Sequence, residues 1–143
     1  MDNYSDVRKK VSGENARLGQ AFIDALPEAR KPVLSKSGLY YTIITAGNAA
    51  KKAGKADLVS VNYEGRLIDG TQFDKSASPV QFPVAAVVAG FSEGVQLVGE
   101  GGKVRLYIPG KLGYGDNPPP GCGILPGSML VFDVEIVGVT RGF

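Results

Sequence analysis

The chain has 143 residues, 43% hydrophobic and 21% charged, with a net charge of +2; that supports one globular core and gives no nucleic-acid footprint. Twenty glycines and nine prolines imply many turns between short strands. There is no histidine and one cysteine, Cys122, which excludes Ser-His-Asp and Cys-His hydrolases, histidine-containing or Cys-rich metal sites and any internal disulfide.

From Asp6 to about Arg30, Val11, Leu18, Phe22 and Ala25 or Leu26 recur at helical spacing among charged residues, which predicts an amphipathic helix interrupted by Gly13 and Gly19. Its narrow apolar stripe calls for packing on the domain edge or on a partner chain, as in a homodimer formed through this helix. Pro32–Ser37 reads as a linker, dividing a helical arm (1–36) from a β-rich domain (37–143). Leu39–Ile44 is a β-branched and aromatic strand ending at Gly47, followed by a loose Ala/Lys/Gly segment. Val59, Val61 and Tyr63 alternate with polar residues in a strand that continues through Leu67 to Asp69-Gly70, a hairpin-turn dipeptide, and Phe73-Asp74 begins the return.

Val80, Phe82 and Val84 form a further short strand, which Pro83 consigns to an edge or a bulge. Ser92 reads as the N-cap of a two-turn helix over 92–97, stopped by Gly99 and Gly101-Gly102. Val104, Leu106 and Ile108, then Leu130, Phe132, Val134 and Ile136, alternate as half-buried antiparallel strands. Between these two strands lies a long Gly/Pro-rich connection holding Tyr114, Ile124 and Leu125. A connection of that length implies function, and its apolar residues imply that it encloses something. The expected class is α+β, an antiparallel sheet capped by one short helix. The longest apolar run, Val84–Ala89, is far too short to span a membrane, and the charged N-terminal region is unlike a leader.

Phosphate-binding loops do not fit. Around Gly102-Lys103, Leu97 stands where the first glycine of such a loop is required and Val104 where Ser or Thr must hold magnesium. Gly110–Gly115 lacks the strand and helix of a dinucleotide fingerprint. Asp69 belongs to a turn, and Asp133 and Glu135 read as solvated strand carboxylates; Asp74 is either a turn cap or a site residue. The remaining set, Tyr63, Phe73, Val87, Val88, Phe91, Tyr114, Ile124 and Phe132, would line a shallow apolar pocket beneath the helix and the long loop.

Five blocks, Val59-Ser-Val-Asn-Tyr63-Glu-Gly, Asp69-Gly-Thr-Gln-Phe73-Asp74, Val87-Val-Ala-Gly-Phe91-Ser-Glu-Gly-Val, Leu112-Gly-Tyr114-Gly and Met129-Leu-Val-Phe132-Asp-Val-Glu, resemble the FKBP-type peptidyl-prolyl cis-trans isomerases over residues 54–139. Upstream, Ser37–Ile44 and the charged helix resemble the bacterial branch related to the macrophage infectivity potentiator. The resemblance implies an antiparallel half-barrel wrapped around a short helix. It also implies an apolar proline cleft, an isomerase that assists protein folding without cofactor or metal, and a long loop serving as a flexible flap.

By the same resemblance Tyr63, Asp74, Val88 and Tyr114 would be catalytic. The Val88 N–H would hold a substrate carbonyl, Tyr114 would donate a hydrogen bond, and Asp74 would face the carbonyl or a bridging tyrosine hydroxyl. Phe73, Val87, Phe91, Ile124 and Phe132 would bind the substrate. Phe91 stands where tryptophan is frequent, Val88 where isoleucine is, and Val80 where an aromatic is, so the cleft is less aromatic than the common pattern. Implied partners are proline-containing polypeptides and macrolides of the tacrolimus and rapamycin type, whose pipecolyl ring mimics proline. The competing class is a non-catalytic chaperone or scaffold module gripping apolar segments. The bacterial branch points to the periplasm or cell envelope, a full-length chain without a leader to the cytoplasm.

Overall fold

The computed structural model describes residues 3–119 and 121–142, so Pro120, the last of the triple proline in the long loop, lies outside the description. Helix α1 spans Asn3–Asp24 and ends about six residues before the predicted limit. Pro27 explains this, because its ring disfavours helical geometry at the residue before it; after a turn the chain continues as a single 3-10 turn, Glu28–Arg30. Gly13 and Gly19 do not interrupt the helix. Gly19 lies so close to Met129 that a Cβ there would stand 3.0 Å from the methionine Cβ.

Among the described residues nine strands follow: β1 (Val33–Leu34), β2 (Tyr40–Thr45), β3 (Asn48–Lys52), β4 (Leu58–Leu67), β5 (Gln72–Lys75), β6 (Val80–Pro83), β7 (Gly99–Glu100), β8 (Lys103–Ile108) and β9 (Leu130–Thr140). The main sheet is antiparallel, in the order β1-β2-β8-β9-β4-β5, with β6 sharing the outer edge of β4. β6 thus lies at an edge, where Pro83 was expected to put it. The long β4–β9 pairing runs from Leu58 opposite Thr140 to Leu67 opposite Leu130, with one bulge near Ser60. Gly70, at φ +91, makes the turn from β4 into β5.

Two strands fall where the sequence carries no strand signal. β1 lies within the predicted linker and pairs with Tyr40-Tyr41, and β3 lies in the loose Ala/Lys/Gly segment and pairs with remote β7. Both are short, and the Lys-rich β3 is exposed along its whole length, so neither shows alternation.

The inner face of the sheet holds Val59, Val61, Leu106, Ile108, Leu130, Phe132, Val134 and Ile136 and carries α2, which spans Ala89–Gly94. This helix starts three residues before the expected one and stops three residues sooner. Val88 occupies the N-cap without a side-chain cap, and Ser92 is buried inside the helix with its N–H donated to the Val88 carbonyl. Gly90 and Gly94 are points of closest approach. A Cβ on Gly90 would lie 2.6 Å from Ile108 Cγ2, and one on Gly94 2.5 Å from Leu106 Cδ2.

The outer face is covered in the middle by the C-terminal half of α1. Phe22 and Ile23, with Leu26 just beyond the helix, pack with Tyr40, Tyr107, Met129 and Val131, so Tyr107 and Val131, at outward positions of their strands, are buried. Leu18, read as part of the inward stripe, is exposed; the sheet-facing side passes through Asn15 and Gly19. Among the described residues no helix is long and apolar enough to cross a membrane.

Candidate active site

Alternation along β4 puts Val59, Val61 and Tyr63 on the inner face, and the cross-strand pairing brings Phe132 of β9 onto that face as well. Phe91 rises from α2 between them. Its ring centroid lies 5.0 Å from that of Phe132 and 6.0 Å from that of Tyr63, both edge-on. Phe73 of β5 meets Phe132 edge-on at 5.5 Å, and Phe82 of β6 packs at 5.7 Å on the other side of Phe91. Offset and edge-to-face contacts of this kind favour a fixed array over a loose one. Phe82 was read from the sequence only as a strand residue.

The array depends on Gly65, whose role the sequence did not signal. A Cβ there would lie 2.7 Å from Phe73 Cζ and 2.8 Å from Phe132 Cε1, so only glycine lets both rings close over this point of β4. Ser76 fastens the far end of β5, its hydroxyl accepting the Tyr63 N–H at 2.9 Å and its own N–H donating to the Tyr63 carbonyl at 3.0 Å.

At the rim, the Tyr63 hydroxyl donates to Asp74 Oδ2 at 2.8 Å. Asp74 lies on a strand, opposite Gly65, and its other oxygen accepts the Lys75 N–H at 2.9 Å. Burial first, then the Asp74 hydrogen bond and charge, push the Tyr63 hydroxyl up to about 12. Tyr114, exposed on the long loop, is also shifted upward, by partial burial and then by the charges of Cys122 and Asp74, so it belongs to the same electrostatic neighbourhood.

Val87 and Val88, half-buried, lead into α2. Among the described residues no acceptor takes the Val88 N–H or the Tyr114 hydroxyl proton. Ile124 is folded into the inner core, with Cys122 packed beside it as a small filler. All nine predicted site residues therefore belong to one ring-lined face and its borders.

Asp133 is not a free solvated carboxylate. It accepts from Arg105 Nε at 2.7 Å and Arg66 Nη2 at 2.6 Å, a fixed network on the outer face of the sheet. A separate groove of about 570 Å³ runs between α1, the β1–β2 hairpin and the base of the long loop, and none of the nine residues lines it. Among the described residues no three Cys, Asp or Glu side chains converge as metal ligands would.

A family profile described as FKBP-type peptidyl-prolyl cis-trans isomerase matches residues 49–137, more than half of the chain. The chain is 43% identical over 137 residues to a probable FKBP-type peptidyl-prolyl cis-trans isomerase FkpA of Neisseria meningitidis, an alignment covering 94% of this chain and 50% of that protein. It is 38% identical over 144 residues to the outer membrane protein MIP of Legionella longbeachae, covering 99% of this chain and 61% of that one. The chain thus spans about half the length of the FkpA relatives it matches. In three dimensions it is similar to FkpA from Escherichia coli, with TM-score 0.86, 35% identity and coverage of 95% of this chain and 64% of that one. It is also similar to a peptidyl-prolyl cis-trans isomerase from Pseudomonas syringae, with TM-score 0.80, 28% identity and coverage of 91% and 96%.

Proposed function

The chain belongs to the FKBP-type peptidyl-prolyl cis-trans isomerase family, and from that premise we propose that it accelerates rotation about X-Pro bonds in polypeptides. The observation that carries this reading is the array around Phe91, an apolar floor with two unused donors and one carboxylate at its rim. Amide rotation meets a barrier near 18–20 kcal/mol because the planar form is conjugated. A site that binds the twisted amide more tightly than the planar one lowers that barrier without covalent chemistry.

In this reading the proline ring sits on Phe91, between Tyr63, Phe73 and Phe132, with Val87 and Ile124 against the preceding residue. The Tyr63 proton is committed to Asp74, so Tyr63 orients the carboxylate and does not donate to substrate. Carbonyl recognition falls to the Val88 N–H and the Tyr114 hydroxyl, with Asp74 biasing the charge felt by the twisting amide. The arm at 1–36 and the isomerase domain at 37–143 divide the labour, α1 serving also as a homodimer contact through its exposed Val7 and Leu18.

NMR exchange or protease-coupled assays on short X-Pro peptides test the activity. Acceleration is expected, greatest with a large apolar residue before proline; no rate above the uncatalysed one, with folded protein at high concentration, overturns the reading. A macrolide of the tacrolimus type is expected to bind saturably and displace peptide. Tyr114→Phe should weaken that binding by about two- to tenfold through one lost hydrogen bond. Calorimetry without binding removes the macrolide from the reading.

A further inference from the structure

We propose that Asn15, on α1, is a positioning residue that seats the loop carrying Tyr114 and Ile124; the proposal rests on the isomerase reading of that loop. Its side-chain amide donates to the Pro126 carbonyl at 2.9 Å, across 111 residues of sequence. The next residue, Gly127, lies directly on the helix. It adopts φ +74, and a Cβ there would stand 2.5 Å from Ser12 Cα. A larger residue would force the loop off the helix and would be strained at that backbone angle.

From Gly127 the contact passes to the other stem of the loop. The Gly127 N–H donates to the Gly115 carbonyl at 2.8 Å, and the Gly115 N–H to the Gly110 carbonyl at 2.8 Å. Tyr114 is the residue before Gly115. A second tie runs in parallel: the Arg8 guanidinium donates to the Asn117 side chain, and the Asn117 N–H donates to the Tyr114 carbonyl at 3.3 Å. Helix α1 therefore holds both stems of the loop from outside the cleft.

The composition of this helix face points the same way. Asparagine inside a helix competes with the backbone for hydrogen bonds and is a poor helix former, so a half-buried one needs a specific partner. The face at Ser12, Asn15 and Gly19 is small and polar where a purely structural face would carry leucine; Leu18 points to solvent. Small side chains let the loop backbone reach the helix, and the amide satisfies a carbonyl that the turn leaves over. A loop ordered before substrate arrives spares binding the entropy of ordering it.

The test uses the full chain with Asn15→Ala, read by amide hydrogen exchange and by peptide isomerisation. Expected are faster exchange confined to residues 113–127, unchanged exchange in β4 and β9, and a KM about three- to tenfold higher at nearly constant kcat, the size of one neutral hydrogen bond. Asn15→Gln, which keeps the donor, should recover part of both effects. Gln20→Ala removes an acceptor that α1 offers to Tyr40 and not to the loop, and should leave both readouts unmoved. Unchanged loop exchange in Asn15→Ala overturns the proposal, as does faster exchange with an unchanged KM. A wild-type chain without isomerase activity sinks the functional reading alone, and the exchange measurement still decides whether Asn15 anchors the loop.

Discussion

Asp74 is exposed and accepts only the Tyr63 hydroxyl and the N–H of its chain neighbour Lys75, so its removal separates function from stability. In Asp74→Ala, kcat/KM should fall by about tenfold, the loss of one charged interaction, whereas the melting temperature should stay nearly unchanged. The hydroxyl of Tyr63 keeps its proton up to about 12, so ionisation of this tyrosine should put no step in the kcat/KM profile below about pH 10. An earlier melt with normal turnover would return Asp74 to a structural role. Asp57 shows the opposite behaviour. Its carboxylate accepts the Gly142 and Gly54 N–H groups and the Arg141 guanidinium, which hold it at about 2, below its ordinary 3.8. A depressed folded-state value means stability that is present above about pH 4 and lost as pH falls toward 2. Melting curves of wild type and Asp57→Asn should therefore differ most near neutrality and converge in acid.

At the scale of elements, α2 is held by close approach and not by capping. Its six residues are too few to be stable alone, so its existence depends on how it seats on β8. In Gly94→Ala the new methyl would press on Leu106, which is fully buried and has nowhere to move. The expected cost is about 1–3 kcal/mol in urea unfolding, with the Phe91 ring displaced and kcat/KM reduced in the folded fraction. Gly→Ala inside an exposed helix would instead be stabilising by about 1 kcal/mol, so the sign of the change alone decides between the two accounts. The β1–β2 and β3–β7 pairings carry the same lesson in milder form: short segments become strands because a partner edge is near.

For the molecule as a whole, the position of α1 on the outer face makes it part of the folding unit. Ile23 is 5% exposed and shares its cluster with Tyr107, Met129 and Val131 of the sheet. Ile23→Ala should cost about 2–5 kcal/mol, and calorimetry should still record a single transition for the full chain. Two transitions, with the mutation shifting only the weaker one, would mean that the helix melts independently of the sheet.

The core strands are legible along the chain, since alternation at Val59–Tyr63, Val104–Ile108 and Leu130–Ile136 follows directly from the two-residue period of a pleated strand. The residues proposed for the site could also be named there, because the five blocks around Tyr63, Phe73, Phe91, Tyr114 and Phe132 are local and ordered along the chain. What the sequence left open are contacts whose cause lies in a distant partner. Gly90 and Gly94 have no stated purpose until β8 is brought against them, nor has Gly65 until two rings meet over it, and Tyr107 and Val131 stand at outward strand positions until α1 covers them. The inward face of α1 was misjudged at Leu18 for the same reason. Hydrophobic period reports which side of an element avoids water, but a face that packs on a loop backbone selects small and hydrogen-bonding residues, and only the tertiary structure decides where such a backbone lies.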